Sequence, residues 1–296
     1  RLENAVGAVY VYAPGSIAGL DASVRDAIKA VAFKGHNPFG PDAMDAIAHC
    51  GLIANFGVGY DAIDVDAASA RSIKVTNTPD VLNDCVADLA VGMMITHARN
   101  MIEGDRLVRS GEWAGGTALP LNRQFTGANV GICGLGRIGR DIADRLAAFK
   151  MDIHYHSRAP KDTPGWTFHD DPVSLAQSVD WFVVALVGGA ETEKYVSRAV
   201  LDAMGPNSVV VNISRGTTID EAALLDVLEN GTIGGACLDV FNDEPTIDPR
   251  FHVLENVVLQ PHQGSGTVET RRAMAELQLA NIKAYLDGEP LKTAVN

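Results

Sequence analysis

Arg215, Glu244 and His262 each follow an apolar, β-branched run, at residues 208–213, 235–241 and 257–260. An imidazole titrates near neutral pH and passes a proton to a reacting oxygen. A carboxylate beside it holds the ring and favours its protonated form. A guanidinium binds a carboxylate by a two-pronged contact and steadies developing negative charge. Together these residue types suit reduction of a carbonyl, with His262 as proton donor, Glu244 tuning it and Arg215 fixing and polarising the substrate. In the reverse direction His262 acts as base. The three runs read as strands buried on both faces of a parallel sheet, and ligands bind outside the carboxyl ends of such strands. The other histidines, His36, His49, His97, His154, His156, His169 and His252, have no such setting and are expected in surface or structural roles, and Met93 and Met94 read as helix core.

Such a reduction needs a hydride donor, and the stretch from Val130 to Gly139 implies one. It reads as a strand entering Gly134-Leu135-Gly136-Arg137-Ile138-Gly139 and then a helix. In a Gly-x-Gly-x-x-Gly turn the first glycine permits the bend. The second admits a pyrophosphate to the backbone, and the third lets helix and strand pack closely. The helix amino terminus then offers N–H groups to the phosphates. An NAD-specific site places Asp or Glu at the end of the next strand, but residues 151–156 lead into Ser157 and Arg158, with Lys161 soon after and Asp152 at the wrong end. A hydroxyl and a guanidinium suit a 2′-phosphate. NADP(H) is therefore expected, with NAD(H) the alternative if Arg158 only stacks on the adenine.

The elements that must position these residues alternate between strand and helix from 127 to 264, the look of a βαβ sheet. Strands are expected at 129–133, 151–156, 180–187, 208–213, 235–241 and 257–260, with helices including 139–149 and 221–229. A smaller α/β unit precedes it, with short strands at 28–33, 51–54 and 73–75 and helical spacing at 42–49 and 64–71. One or two long helices are expected from 84 to 109, followed by a polar, Trp-containing stretch at 110–124 that connects domains or packs on another subunit. A last helix at 267–286 is expected to return to the first unit. The fold class is α/β, two Rossmann-like (doubly wound parallel sheet) domains with a cleft between them. The expected boundaries are 1–97 plus 265–296 for a substrate-binding lid domain and 98–264 for a dinucleotide-binding domain. In the first unit Asn55-Phe56-Gly57-Val58-Gly59-Tyr60-Asp61 follows a strand and reads either as a second anion loop or as a plain turn.

The 296 residues are 47% hydrophobic, enough for a large core, and carry a formal net charge of −13. That balance argues against a phosphate-backbone partner, and no nucleic acid is expected. Cys50, Cys85, Cys133 and Cys237 lie far apart without paired metal spacing, so reduced thiols and no metal are expected. The longest apolar stretch, near Trp181, is too short to span a bilayer, and no signal peptide is evident. A soluble, cytoplasmic chain without a membrane partner is the expectation.

These motifs together resemble the D-2-hydroxyacid dehydrogenase family and, within it, the glyoxylate/hydroxypyruvate reductases. The resemblance rests on residues 55–61, 78–82, 134–139, 212–216, 238–245 and 261–265, and covers nearly the whole chain. It implies catalytic Arg215, Glu244 and His262, with Val58 and Gly59 offering backbone donors to the substrate carboxylate. It also implies that Arg137, Ile138, Ser157, Arg158, Val187, Ile213, Asp239 and Gly264 line the cofactor site, Asp239 near the carboxamide, and that the chain forms a homodimer through the cofactor domain. Two departures stand out. The chain begins at Arg1 without the family's usual opening strand and helix, so residues removed, or left out of this numbering, are expected. Val187-Gly188-Gly189 replaces a more usual polar, proline-containing turn. An NADPH-dependent reductase of glyoxylate and hydroxypyruvate is expected. The alternatives are a reductase of larger 2-oxo acids such as hydroxyphenylpyruvate and, from another class, a dinucleotide-sensing transcriptional co-regulator.

Overall fold

The computed structural model describes residues 6, 17, 19–35 and 37–296, so His36 lies outside the described residues. The chain divides into two compact units, Arg1–Leu82 with Thr267–Asn296, and Asn83–Gly266.

In the first unit β1 (Ala30–Phe33), β2 (Leu52–Asn55) and β3 (Lys74–Thr76) form a parallel sheet in the order β1-β2-β3. Every residue of β2, the central strand, is buried. The helix Val268–Leu286 starts at Thr267, whose hydroxyl accepts from the Thr270 N–H. It is tied to this sheet by buried Gln278, whose amide donates to Phe33 O at 3.2 Å and Ala54 O at 2.8 Å. Ile282 and Tyr285 of the same helix pack against Leu52 and Ala54 of β2, so the chain returns to its first unit after residue 266.

The second unit holds β4 (Asn129–Cys133), β5 (Asp152–His156), β6 (Thr167–His169), β7 (Trp181–Val184), β8 (Val209–Asn212), β9 (Gly235–Leu238) and β10 (Val257–Leu259). All are parallel, in the order β10-β9-β8-β7-β4-β5-β6. The order reverses between β4 and β7, the switch point at which doubly wound sheets bind ligands. β7, β8 and β9 are buried along their whole length, which explains their unbroken apolar sequences.

Three expectations need correction. The apolar runs overrun their strands: 180–187 shrinks to Trp181–Val184, after which the chain leaves the core and Val187 is 76% exposed, and 235–241 shrinks to Gly235–Leu238, where Asp239, Val240 and Phe241 stay buried in the following loop. β6 was not foreseen, since Thr167-Phe168-His169 is a short edge strand without an apolar run. The units divide at 82/83 and 266/267 rather than 97/98 and 264/265. The helix Asn83–Ala98 belongs to the second unit. It buries Val86, Ala90, Met93 and Met94, and its Asp84 and Asp88 each accept from Arg145 on the helix Arg137–Ala148 at 2.7 Å. His97 meets Asn256 O at 3.3 Å from its other end.

Among the described residues no helix is long and apolar enough to cross a membrane, and no group of three His, Cys, Asp or Glu side chains is placed to hold a metal ion. All four cysteines are free thiols. Burial pushes the Cys50 thiol up to about 11 and Cys133 to about 12, which withholds the reactive thiolate at neutral pH.

Candidate active site

The dinucleotide turn is held open by stereochemistry. Gly134 follows β4 with φ +104°, and a Cβ there would lie 2.6 Å from Ala185 O on the neighbouring loop. At Gly139 a Cβ would run into the Gly134 carbonyl oxygen, so the helix Arg137–Ala148 approaches the turn as only glycine allows. A Cβ at Gly136 would instead meet nothing within 4 Å. The helix starts without a side-chain cap, and the first N–H groups of a helix find no acceptor within it. A close-approach glycine facing open space at an uncapped helix start fits a pyrophosphate. Arg137 is exposed and Ile138 half-buried on this first turn.

At the adenosine end β5 stops at His156, followed by half-buried Ser157 and exposed Arg158. Asp152 is at the opposite end of the strand, so no carboxylate from β5 stands where a ribose would be read. The Ser157 hydroxyl donates to Ala159 O at 2.7 Å. The neighbouring histidines bond locally: His154 Nδ1 lies 2.9 Å from His169 Nε2, and His156 Nε2 lies 2.7 Å from the Tyr195 hydroxyl.

The ends of β8, β9 and β10 are consecutive in the sheet, so the segments carrying Arg215, Glu244 and His262 leave it side by side. Buried Asn212 shapes the first. Its amide donates to Arg215 O at 2.9 Å while its Oδ1 accepts from Ser214 N–H at 3.0 Å, and Thr218 Oγ1 adds a second donor to Arg215 O at 2.6 Å. The Ser214 hydroxyl donates to Leu186 O, joining this loop to the one after β7. The half-buried Arg215 guanidinium donates to Ser214 O at 2.8 Å.

Glu244 and His262 meet directly. His262 Nδ1 lies 2.7 Å from Glu244 Oε2, while Glu244 Oε1 accepts from the Phe241 N–H at 2.9 Å. The contact with Glu244 uses Nδ1 and fixes the orientation of the ring. The pair borders an apolar cavity of about 260 Å³ that Phe241, Ile247 and Leu259 also line, and its low polarity strengthens the contact. His262 has a left-handed backbone, φ +53°, held by its N–H donating to Asp239 O at 2.9 Å. The Asp239 carboxylate, 2% exposed, accepts from Gln263 N–H at 2.6 Å and Gly264 N–H at 2.7 Å. Burial raises its carboxyl above the ordinary range, and these two bonds act against that. Asp239 thus fastens residues 262–264 to the end of β9.

In the first unit, side chains capture the carbonyls of residues 57–59. Asn55 Nδ2 donates to Gly57 O at 3.0 Å and Gly59 O at 2.8 Å, and Asn77 Nδ2 to Val58 O at 2.9 Å. Thr78 N–H adds a bond to Gly57 O at 2.9 Å. A loop whose carbonyls are committed inward can turn N–H groups towards an anion, as in a backbone nest.

The structure therefore joins His262 to Glu244, sets Arg215 on the adjoining strand end and builds the loop at Val58 and Gly59. Val187 is 76% exposed and Ile213 buried, while Gly264 commits its N–H to Asp239. Sequence reasoning missed the positioning roles of Asn77, Asn212 and Asp239. For Asn212 and Asp239 the signal was a polar residue inside an apolar run, which must find partners when buried; Asn77, in a polar stretch, carried no such signal.

Comparison with known proteins agrees with this geometry. Residues 91–264 match the family described as D-isomer specific 2-hydroxyacid dehydrogenase, NAD binding domain. The chain is 44% identical to hydroxyphenylpyruvate reductase of Plectranthus scutellarioides, over 91% of this chain and 86% of that protein. It is also 44% identical to glyoxylate/hydroxypyruvate reductase A of Arabidopsis thaliana, over 92% and 86%. The crystal structure of the NADPH-dependent glyoxylate/hydroxypyruvate reductase of Sinorhizobium meliloti, in complex with NADP and malonate, superposes with a TM-score of 0.90 at 42% identity, covering 94% of this chain and 87% of that one. A dinucleotide turn at the switch point, a bonded carboxylate–imidazole pair at the strand ends and these matches place the chain in the D-isomer specific 2-hydroxyacid dehydrogenase family, as an oxidoreductase that binds a nicotinamide dinucleotide.

Proposed function

We propose that the chain is an NADPH-dependent reductase of small 2-oxo acids, glyoxylate and hydroxypyruvate, with His262 as proton donor. The observation that carries this reading is the 2.7 Å contact between His262 Nδ1 and Glu244 Oε2 beside the dinucleotide fold. When bound, NADPH would supply the hydride to the carbonyl carbon. His262 Nε2 gives its proton to the carbonyl oxygen as that oxygen gains charge, and Glu244 keeps the ring oriented and offsets the imidazolium charge. Arg215 pairs with the substrate carboxylate and polarises the carbonyl. In the first unit, the loop at Val58 and Gly59 offers its N–H groups to a small carboxylate. Gly134, Gly136, Arg137, Ile138 and Gly139 hold the pyrophosphate turn, and Val187, Ile213, Asp239 and Gly264 border the nicotinamide end. Ser157 and Arg158 face the adenosine ribose.

The cofactor preference rests on Arg158 and on the missing carboxylate at the end of β5. A guanidinium attracts a 2′-phosphate that an Asp or Glu would repel. The kcat/KM for NADPH is expected to exceed that for NADH by tenfold or more, roughly 1.4 kcal/mol; equal values, or an NADH preference, would reverse the assignment. Larger 2-oxo acids are the second reading, favoured by the equal 44% identity to a hydroxyphenylpyruvate reductase.

A homodimer is also proposed. Met101 (53%), Ile102 (55%), Val108 (58%), Trp113 (65%) and Leu121 (102%) expose large apolar side chains within one short segment of the second unit. An apolar concentration of this kind marks an interaction surface. Light scattering should give twice the mass of a chain of 31.4 kDa, and Leu121→Lys should shift that equilibrium towards monomer. A monomeric wild-type protein would remove the proposal.

A further inference from the structure

We infer that Lys161 is the second cation of the site that selects a 2′-phosphate, and that Tyr155 is its positioning residue; this rests on the NADPH reading above. The Ser157 hydroxyl has one proton, and it donates that proton to Ala159 O at 2.7 Å. It therefore closes the turn after β5 and must break this bond before it can donate to a phosphate. Arg158 is left needing another donor, and the next cation along the loop is Lys161. Both side chains are exposed, and among the described residues neither enters an ion pair, in a chain of formal net charge −13.

The loop that carries them is fixed at one residue. Tyr155, 2% exposed in β5, sends its hydroxyl to the Lys161 backbone, donating to Lys161 O at 3.2 Å and accepting from Lys161 N–H at 2.9 Å. Arg140 holds the next residue from the helix behind the dinucleotide turn. Its Nη2 donates to Asp162 O at 2.6 Å, and its guanidinium lies 5.5 Å from the Trp166 ring centroid. The backbone at Lys161 and Asp162 is thus tied to β5 and to the helix Arg137–Ala148, the two elements that flank a bound adenosine diphosphate in this fold. A loop bound this closely at two adjacent residues spends little entropy on ordering when an anion arrives. Lysine serves as a mobile point charge for phosphate where Arg158 supplies the planar contact.

The test measures direct binding of 2′,5′-ADP and 5′-AMP to the purified full chain by titration calorimetry, for wild type, Lys161→Ala, Lys161→Arg, Tyr155→Phe and Arg158→Ala. Lys161→Ala is expected to weaken 2′,5′-ADP about tenfold, the size of one charge-assisted contact, with 5′-AMP changed less than about twofold. Lys161→Arg should restore most of the loss, and Tyr155→Phe should weaken 2′,5′-ADP about threefold, again with 5′-AMP unaffected. Equal loss of both ligands in Tyr155→Phe would show a merely structural role and overturn its part of the inference. Unchanged 2′,5′-ADP binding in Lys161→Ala, with Arg158→Ala losing it, would overturn the role of Lys161 and leave the NADPH reading standing. Wild-type protein that binds both ligands equally would overturn both.

Discussion

His262→Ala is expected to lower kcat by about 10³-fold while leaving the dissociation constant for NADPH within about twofold of wild type. The size follows from what is removed. General acid catalysis contributes roughly 10²- to 10⁴-fold, and here the proposed donor is already oriented, because Nδ1 is held by Glu244 at 2.7 Å and the backbone N–H by Asp239 O. Affinity for the dinucleotide should persist because the turn at Gly134 to Gly139 makes its approach through a different strand, β4. Glu244→Gln belongs to the same test. It keeps the shape of the pair but removes the charge that offsets an imidazolium, so a smaller loss, on the order of 10²-fold, is expected. Steady-state kinetics with fluorescence titration of NADPH separates the two effects. Turnover in His262→Ala within about tenfold of wild type would show that another group delivers the proton.

Gly139→Ala is expected to cost the fold about 2 kcal/mol and to weaken NADPH binding by more than tenfold. The added Cβ would run into the Gly134 carbonyl oxygen, a backbone atom at the bend of the turn that has no side-chain freedom to yield. The helix Arg137–Ala148 must therefore move away from β4, carrying its uncapped N–H groups off the pyrophosphate position. A loss of this size lowers Tm by about 4–8 °C in a domain of this length. Gly136→Ala is the contrasting change. Its Cβ meets nothing within 4 Å in the protein, so Tm should hold while dinucleotide affinity falls. Equal melting temperatures and equal affinities across wild type and both variants would refute this account of the turn.

Much of this site was legible because its spacings are dictated by local stereochemistry. A Gly-x-Gly-x-x-Gly bend needs its glycines at fixed separations, and Gly134 and Gly139 prove to be positions a side chain cannot enter. Glu244 and His262 could be paired from sequence because buried parallel strands are recognisable by their β-branched runs, and β9 and β10 are neighbours. Other features depend on partners distant in sequence. The helix Asn83–Ala98 has apolar residues that would suit either unit, and its contacts with Arg145, Cys237 and Asn256, all distant in sequence, assign it to the second. Asp239 reads as one polar residue in an apolar run. Its bonds to Gln263 and Gly264, 24 and 25 residues later, give it the task of holding the His262 loop. Tyr155 was hidden for the same reason, since its ring counts as core while its hydroxyl serves the loop at Lys161. The short edge strand β6 carried no periodic signal at all.

The proposed reaction is the reduction of a small 2-oxo acid at the expense of NADPH. It is tested most directly by steady-state assays of the purified chain with glyoxylate, hydroxypyruvate, pyruvate and phenylpyruvate, following NADPH and NADH oxidation in parallel. The expected result is the highest kcat/KM for hydroxypyruvate or glyoxylate with NADPH, and oxidation of one cofactor per carbonyl reduced. A higher kcat/KM for phenylpyruvate would move the assignment to larger 2-oxo acids, and no cofactor oxidation with any of the four would contradict the account.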